Sequence, residues 1–75
     1  MMNSFKIIRT VVRNNHEFGA KVIAEFNDKS DAFYWIRFQN KKNSKGRCRY
    51  YLKTIKSIYR ASDLPESYKE FDLIE

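Results

Sequence analysis

The sequence predicts a small single α+β domain of order β-β-α-β, with a three-stranded antiparallel sheet and one helix packed on one face. Three observations carry that expectation. Two stretches with strand-like apolar patterns flank a turn-prone Asn14-Asn15-His16-Glu17 cluster. A central aromatic stretch lies between a helix-start and a helix-stop signal, and a Tyr- and Ile-rich stretch then runs to Arg60. The chain has 75 residues, 43% of them hydrophobic and 16% aromatic, which supplies one core and no more. A domain this small buries only about 60% of the surface of its unfolded chain, so its stability margin is thin.

Phe5 to Arg13 reads FKIIRTVVR, rich in β-branched residues. Phe18 to Phe26 alternates, with Phe18, Ala20, Val22, Ala24 and Phe26 on one face and Lys21, Ile23 and Glu25 on the other. The two segments should pair as an antiparallel hairpin. Residues 31–42 read two ways. Alternation of Tyr34, Ile36 and Phe38 against Phe33 and Trp35 fits a strand. The boundaries fit a helix. Asp28 is placed to cap the first turn, with Asp31 three residues on. Lys41, Lys42 and Lys45 meet the negative end of the helix dipole, and Gly46 follows as a stop. Start and stop agree, so a helix is expected. Ala32, Phe33, Ile36 and Asn40 share its inner face, with Trp35 and Gln39 at the margin.

Asn43 to Gly46 reads as a polar loop. Arg47 to Arg60, RCRYYLKTIKSIYR, is then expected as the third strand. Tyr50, Leu52, Thr54 and Ile58 would line one side, and Arg49, Tyr51, Lys53, Ile55 and Tyr59 the other. Residues 5–60 form the expected folded core, and 61–75 an acidic C-terminal tail. Pro65 would open one or two helical turns there. Leu64, Phe71, Leu73 and Ile74 give part of that tail something to pack.

Composition removes several function classes. Cys48 is the one cysteine, so no intrachain disulfide forms and a reducing cytoplasm is expected. His16 is the one histidine, so a zinc site built from four Cys and His ligands is excluded. Nucleophilic triads would have to use that single His, with Cys48 in a Cys–His pairing. Asp28 and Asp31 read as helix-start residues, not as the carboxylate cluster of a metal-dependent nuclease. Gly19 and Gly46 stand alone, so no glycine-rich phosphate loop is present. A non-enzymatic protein with no metal and no cofactor is expected. No apolar run approaches the roughly 20 residues of a membrane helix. The first eight residues lack the apolar core and cleavage site of a signal peptide.

Charge placement says more than the net +6. Residues 41–60 carry eight cations and no anion, whereas residues 61–75 carry five anions and one cation. Twenty residues without an acid read as an anion-binding stripe. Cations neutralise phosphates, and interleaved aromatic rings accept unstacked bases. The leading expectation is therefore a nucleic-acid-binding protein, RNA favoured over DNA. Lys41, Lys42, Lys45, Arg47, Arg49, Lys53, Lys56 and Arg60 would contact phosphates, and Tyr51 and Tyr59 would stack on bases. The tail anions are expected to be disordered or packed without regulatory effect, with a fold-back onto the stripe that competes with nucleic acid as the alternative.

The alternative is a protein interface. One helix cannot bury both of its faces in a two-layer domain, so Tyr34, Trp35, Arg37 and Phe38 would anchor a partner. That partner would be a second copy of the chain, a host nucleic-acid enzyme or a ribonuclease toxin, with this protein as an inhibitor. Heavy use of Phe, Tyr, Ile, Asn and Lys matches AT-rich coding sequence, which associates the chain with phage accessory proteins.

Overall fold

The computed structural model describes residues 4–43 and 45–74. Residues 1–3 of the segment tested for a signal peptide, Ser44 of the polar loop and Glu75 of the acidic tail lie outside them. The order is β1 (Phe5–Arg13), β2 (His16–Phe26), α1 (Lys29–Lys42), β3 (Cys48–Lys53), β4 (Ile58–Arg60), a short 3-10 turn (Ala61–Asp63) and α2 (Tyr68–Ile74). The four strands form one antiparallel sheet in the order β2-β1-β3-β4. The α+β class and the antiparallel sheet are as expected, with four strands instead of three and two helices instead of one.

The hairpin forms with Arg13 opposite His16, so its turn is only Asn14-Asn15. Both asparagines have positive φ, 50° and 66°, as a two-residue hairpin turn matched to the strand twist requires. β2 therefore starts at His16, before Phe18. Its register against β1 slips twice. Ala24 faces Ile7, yet Val22 faces Ile8, which leaves Ile23 as an extra residue. A second slip lies between the Arg9–Lys21 and Val11–Phe18 pairs. Gly19 sits there at φ +65°, a conformation that costs a residue without a Cβ nothing. These slips break the expected single face of Phe18, Ala20, Val22, Ala24 and Phe26: Val22 turns to the opposite face and Lys21 joins this one, whereas Phe18, Ala24 and Phe26 stay together. Each extra residue reverses which way the following side chains point.

β1 keeps strict alternation because its pairing with β3 is continuous from Lys6–Lys53 to Val11–Cys48. Phe5 and Ile7 point to the helices and join Leu52, Ala32, Phe33, Ile36, Ala61, Leu64 and Phe71 in the core. Asp28 caps α1, accepting from the Ser30 backbone N–H at 2.8 Å, and the helix ends at Asn43, before Gly46. Ala32, Phe33 and Ile36 are its buried residues, as its periodicity predicts.

The expected third strand is two strands. Thr54 divides it: its hydroxyl accepts from the Lys56 N–H at 3.2 Å and the Ser57 N–H at 3.0 Å, and its own N–H donates to the Ser57 carbonyl at 2.8 Å. The chain reverses and Ile58–Arg60 pairs back on β3. That reversal places Tyr59 opposite Leu52, and Ile58 opposite Lys53, each on the other face from the one expected.

The acidic tail folds as part of the domain. Leu64 and Phe71 are buried, whereas Leu73 and Ile74 are exposed. Phe71 stacks on Phe33 and meets Tyr59 edge-on, each at 5.3 Å between ring centroids. Pro65 precedes α2 instead of opening it, and its carbonyl accepts from Arg37 at 2.8 Å. Two of the tail's acids pair with α1: Asp72 with Lys29 at 2.8 Å and Glu66 with Arg37 at 3.3 Å. The tail is therefore packed, as the sequence favoured, and these two acids engage α1 instead of residues 41–60.

Candidate nucleic-acid interface

Both helices cover one face of the sheet, so the opposite face is open. The register fixes its side chains. Glu25, Lys6, Lys53 and Ile58 form one row, and Val22, Ile8, Tyr51 and Arg60 the next. Thr10 and Arg49 follow as a directly opposed pair, then Glu17 opposite Val12.

Glu17 organises the centre of this face. Its carboxylate accepts from the Tyr51 hydroxyl at 2.5 Å, the Thr10 hydroxyl at 2.8 Å and the Arg49 guanidinium at 2.7 Å. One carboxylate from β2 thus reaches across β1 to β3. Hydrogen bonds from Tyr51, Thr10 and Arg49, in that order, lower its pKa to about 2. The same contact pushes the ionisation of Tyr51 above its ordinary value, because a neutral phenol donates to the carboxylate and a phenolate would face it. Arg49 is likewise held more firmly protonated by Glu17.

The segment 41–60 is therefore not one surface. Arg49, Tyr51, Lys53 and Arg60 share the open face, with Lys6 beside them. Arg49 and Tyr51 are committed to Glu17, whereas Lys53 and Arg60 are exposed. Lys41, Lys42, Lys45 and Arg47 are exposed where the end of α1 runs into β3, and the Lys42 ammonium lies over the Phe38 ring at 5.1 Å. Lys56 is exposed on the turn at the other end of β3. Tyr59 lies on the helix side against Phe71, a packing position instead of a stacking platform on the open face.

The chain matches no protein-family model, no curated protein and no solved structure.

The four aromatic-helix residues divide in the same way. Trp35 packs at the core margin against Phe26, 5.8 Å between centroids. Arg37 lies over Phe33 at 5.7 Å while it bonds Pro65 and Glu66. Tyr34 and Phe38 are 59% and 58% exposed and stand one helical turn apart. Among the described residues no group of three or more His, Cys, Asp or Glu side chains is placed to hold a metal ion, and no helix is long and apolar enough to cross a membrane.

Sequence reasoning missed Glu17 and Lys6. Lys6 was findable from the period of β1. Glu17 was findable from the period of β2 too, because the second slip restores the phase and leaves it on the face of Glu25; period does not give its reach across β1 to Tyr51 and Arg49.

Proposed function

We propose that this protein is a non-catalytic, cytoplasmic nucleic-acid-binding module that takes single-stranded RNA in preference to DNA on the open face of its sheet. One observation carries the reading: Lys6, Lys53 and Arg60 surround Tyr51 on a face that neither helix covers. Backbone phosphates meet the cations while unstacked bases lie along Tyr51, Ile8 and Val22. Lys41, Lys42, Lys45, Arg47 and Lys56 add electrostatic reach at the two ends. Glu17 holds Tyr51 and Arg49 in place, so Lys6, Lys53 and Arg60 carry the phosphate contacts of the open face.

Fluorescence anisotropy of a labelled 12-nucleotide oligouridylate across a salt series tests this. The double variant Lys53→Glu/Arg60→Glu should weaken binding at least about tenfold and flatten the salt slope, each lost phosphate contact removing about 0.7 from its magnitude. No binding by the native protein at low salt refutes the reading. A second reading is favoured by exposed Tyr34 and Phe38: a protein partner docks on α1 and the chain acts as an inhibitor. Tyr34→Ala/Phe38→Ala abolishes that contact and leaves oligouridylate binding intact.

A further inference from the structure

The helix-side face of the β1–β2 hairpin, beyond the cover of α1, is a second charged surface. The register puts Arg9 directly opposite Lys21, Val11 opposite Phe18, and Arg13 opposite His16. Two cationic rows thus bracket an apolar row. Arg9 and Arg13 are four residues apart on one strand, about 14 Å. β3 pairs no further along β1 than Val11, apart from the bond from the Val12 N–H to the Arg47 carbonyl, so the end of the hairpin stands alone. Val11 is 38% and Phe18 55% exposed. With Arg13, His16 and Gly19 they line a shallow concavity of about 430 Å³.

Two features of this face point to an anionic ligand. Like charges directly opposite on paired strands are destabilising, and Arg9–Lys21 is such a pair. Among the described residues none of Arg9, Arg13 and Lys21 has an ion-pair partner, because Glu17, the nearest acid in the ladder, is turned to the other face and held there. The Phe18 and His16 rings are inclined at 60°, 6.4 Å between centroids, and more than half of Phe18 remains exposed to a base. The exposed cations of the α1–β3 connection lie at the same end of the molecule, since Cys48 is opposite Val11. They extend the positive field towards the hairpin.

We infer that the hairpin face formed by Arg9, Val11, Arg13, His16, Phe18 and Lys21 is a second contact for single-stranded nucleic acid, with phosphates on the two cationic rows and one unpaired base stacked on Phe18. The inference rests on the nucleic-acid reading above and adds a site outside residues 41–60. Arg9→Ala/Arg13→Ala/Lys21→Ala in the full chain should lower the magnitude of the salt slope for a 12-nucleotide oligouridylate by about 2, three contacts at about 0.7 each. Phe18→Ala should weaken binding at least about fivefold at constant salt slope. Photocrosslinking of a 5-iodouridine oligonucleotide should label the Phe18 peptide in the native protein. Cooperative melting certifies both variants as folded, with the triple variant at or above the native melting temperature because the Arg9–Lys21 repulsion is gone, and Arg13→Lys should retain binding.

If both variants bind as the native chain does while Lys53→Glu/Arg60→Glu fails, the hairpin inference is wrong and the open-face reading stands. If the native protein binds no oligonucleotide, both fall together. If the native protein sediments as a dimer that Phe18→Ala dissociates, the occupant is a second copy of the chain and the inference is overturned.

Discussion

Replacing Phe71 by alanine tests whether the acidic C-terminal segment is part of the fold or an appendage. Phe71 is fully buried, stacked on Phe33 and edge-on to Tyr59, with the Lys29 ammonium 5.6 Å from its ring. Removing a buried phenyl ring costs about 3–5 kcal/mol, transfer and cavity combined. A chain of this length has roughly 4–11 kcal/mol of total stability, at about 0.05–0.15 kcal/mol per residue. Phe71→Ala should therefore spend a large part of the margin. At about 4–8 °C per kcal/mol for a domain of this size, the melting temperature should fall by at least about 12 °C. Leu73→Ala is the control, two residues on in α2 and 87% exposed, and should change stability by less than about 0.5 kcal/mol. Urea titration followed by the fluorescence of Trp35, the single tryptophan, reads both variants. A Phe71→Ala protein within about 1 kcal/mol of the native chain would refute the claim that α2 seals the core. A deletion of residues 65–75 that folded normally would refute it too.

The remaining predictions concern the sheet and the helix cap. The carboxyl of Glu17 falls from its ordinary 4.5 to about 2 on folding, so its stabilising contribution is complete above about pH 4.5 and is lost as pH drops through 2. Melting curves from pH 6 to pH 2 should show this loss in the native protein, and Glu17→Gln should remove that part of the acid sensitivity. The same substitution should let Tyr51 ionise at lower pH, visible as an earlier phenolate step in ultraviolet titration. Asp28→Ala should lower the melting temperature by leaving the Ser30 N–H without its side-chain acceptor, whereas Asp28→Asn should keep most of it.

The legible parts of this fold are those governed by neighbours in sequence. Asn14-Asn15 specifies its turn through the tolerance of asparagine for positive φ, and Asp28 announces α1 through a carboxylate two residues from the N–H it accepts. The inner face of α1 follows from helical period alone. The illegible parts depend on a single residue changing the phase of a strand. Thr54 turns a fourteen-residue strand-like stretch back on itself with its side-chain oxygen, and nothing in its β-branched composition distinguishes it from the threonine of a continuous strand. Ile23 and Gly19 each add one residue to β2, so an alternation count carried along the strand assigns wrong faces between them, at Val22 and Lys21. The candidate site inherits these errors. Tyr59 left the open face because of Thr54, and the Ile23 slip moved Val22 onto that face and Lys21 off it. The hairpin cations were visible in the sequence but lay outside the acid-free run that drew attention.

The two irregularities in β2 also bear on how the molecule behaves in a crowd. β2 is an outer strand of eleven residues, long enough to template a strand from another chain, whereas β4 at the opposite border has only three. A regular guest strand laid along β2 would lose its step at Gly19 and again at Ile23, and each interruption leaves an amide or carbonyl facing the wrong way. Runs of matched hydrogen bonds would be limited to a few residues between breaks. The same two residues that hid the faces of β2 from its sequence thus deny that border to open-ended strand stacking, and a basic, aromatic-rich chain of small size gains resistance to fibre growth from its own irregularity.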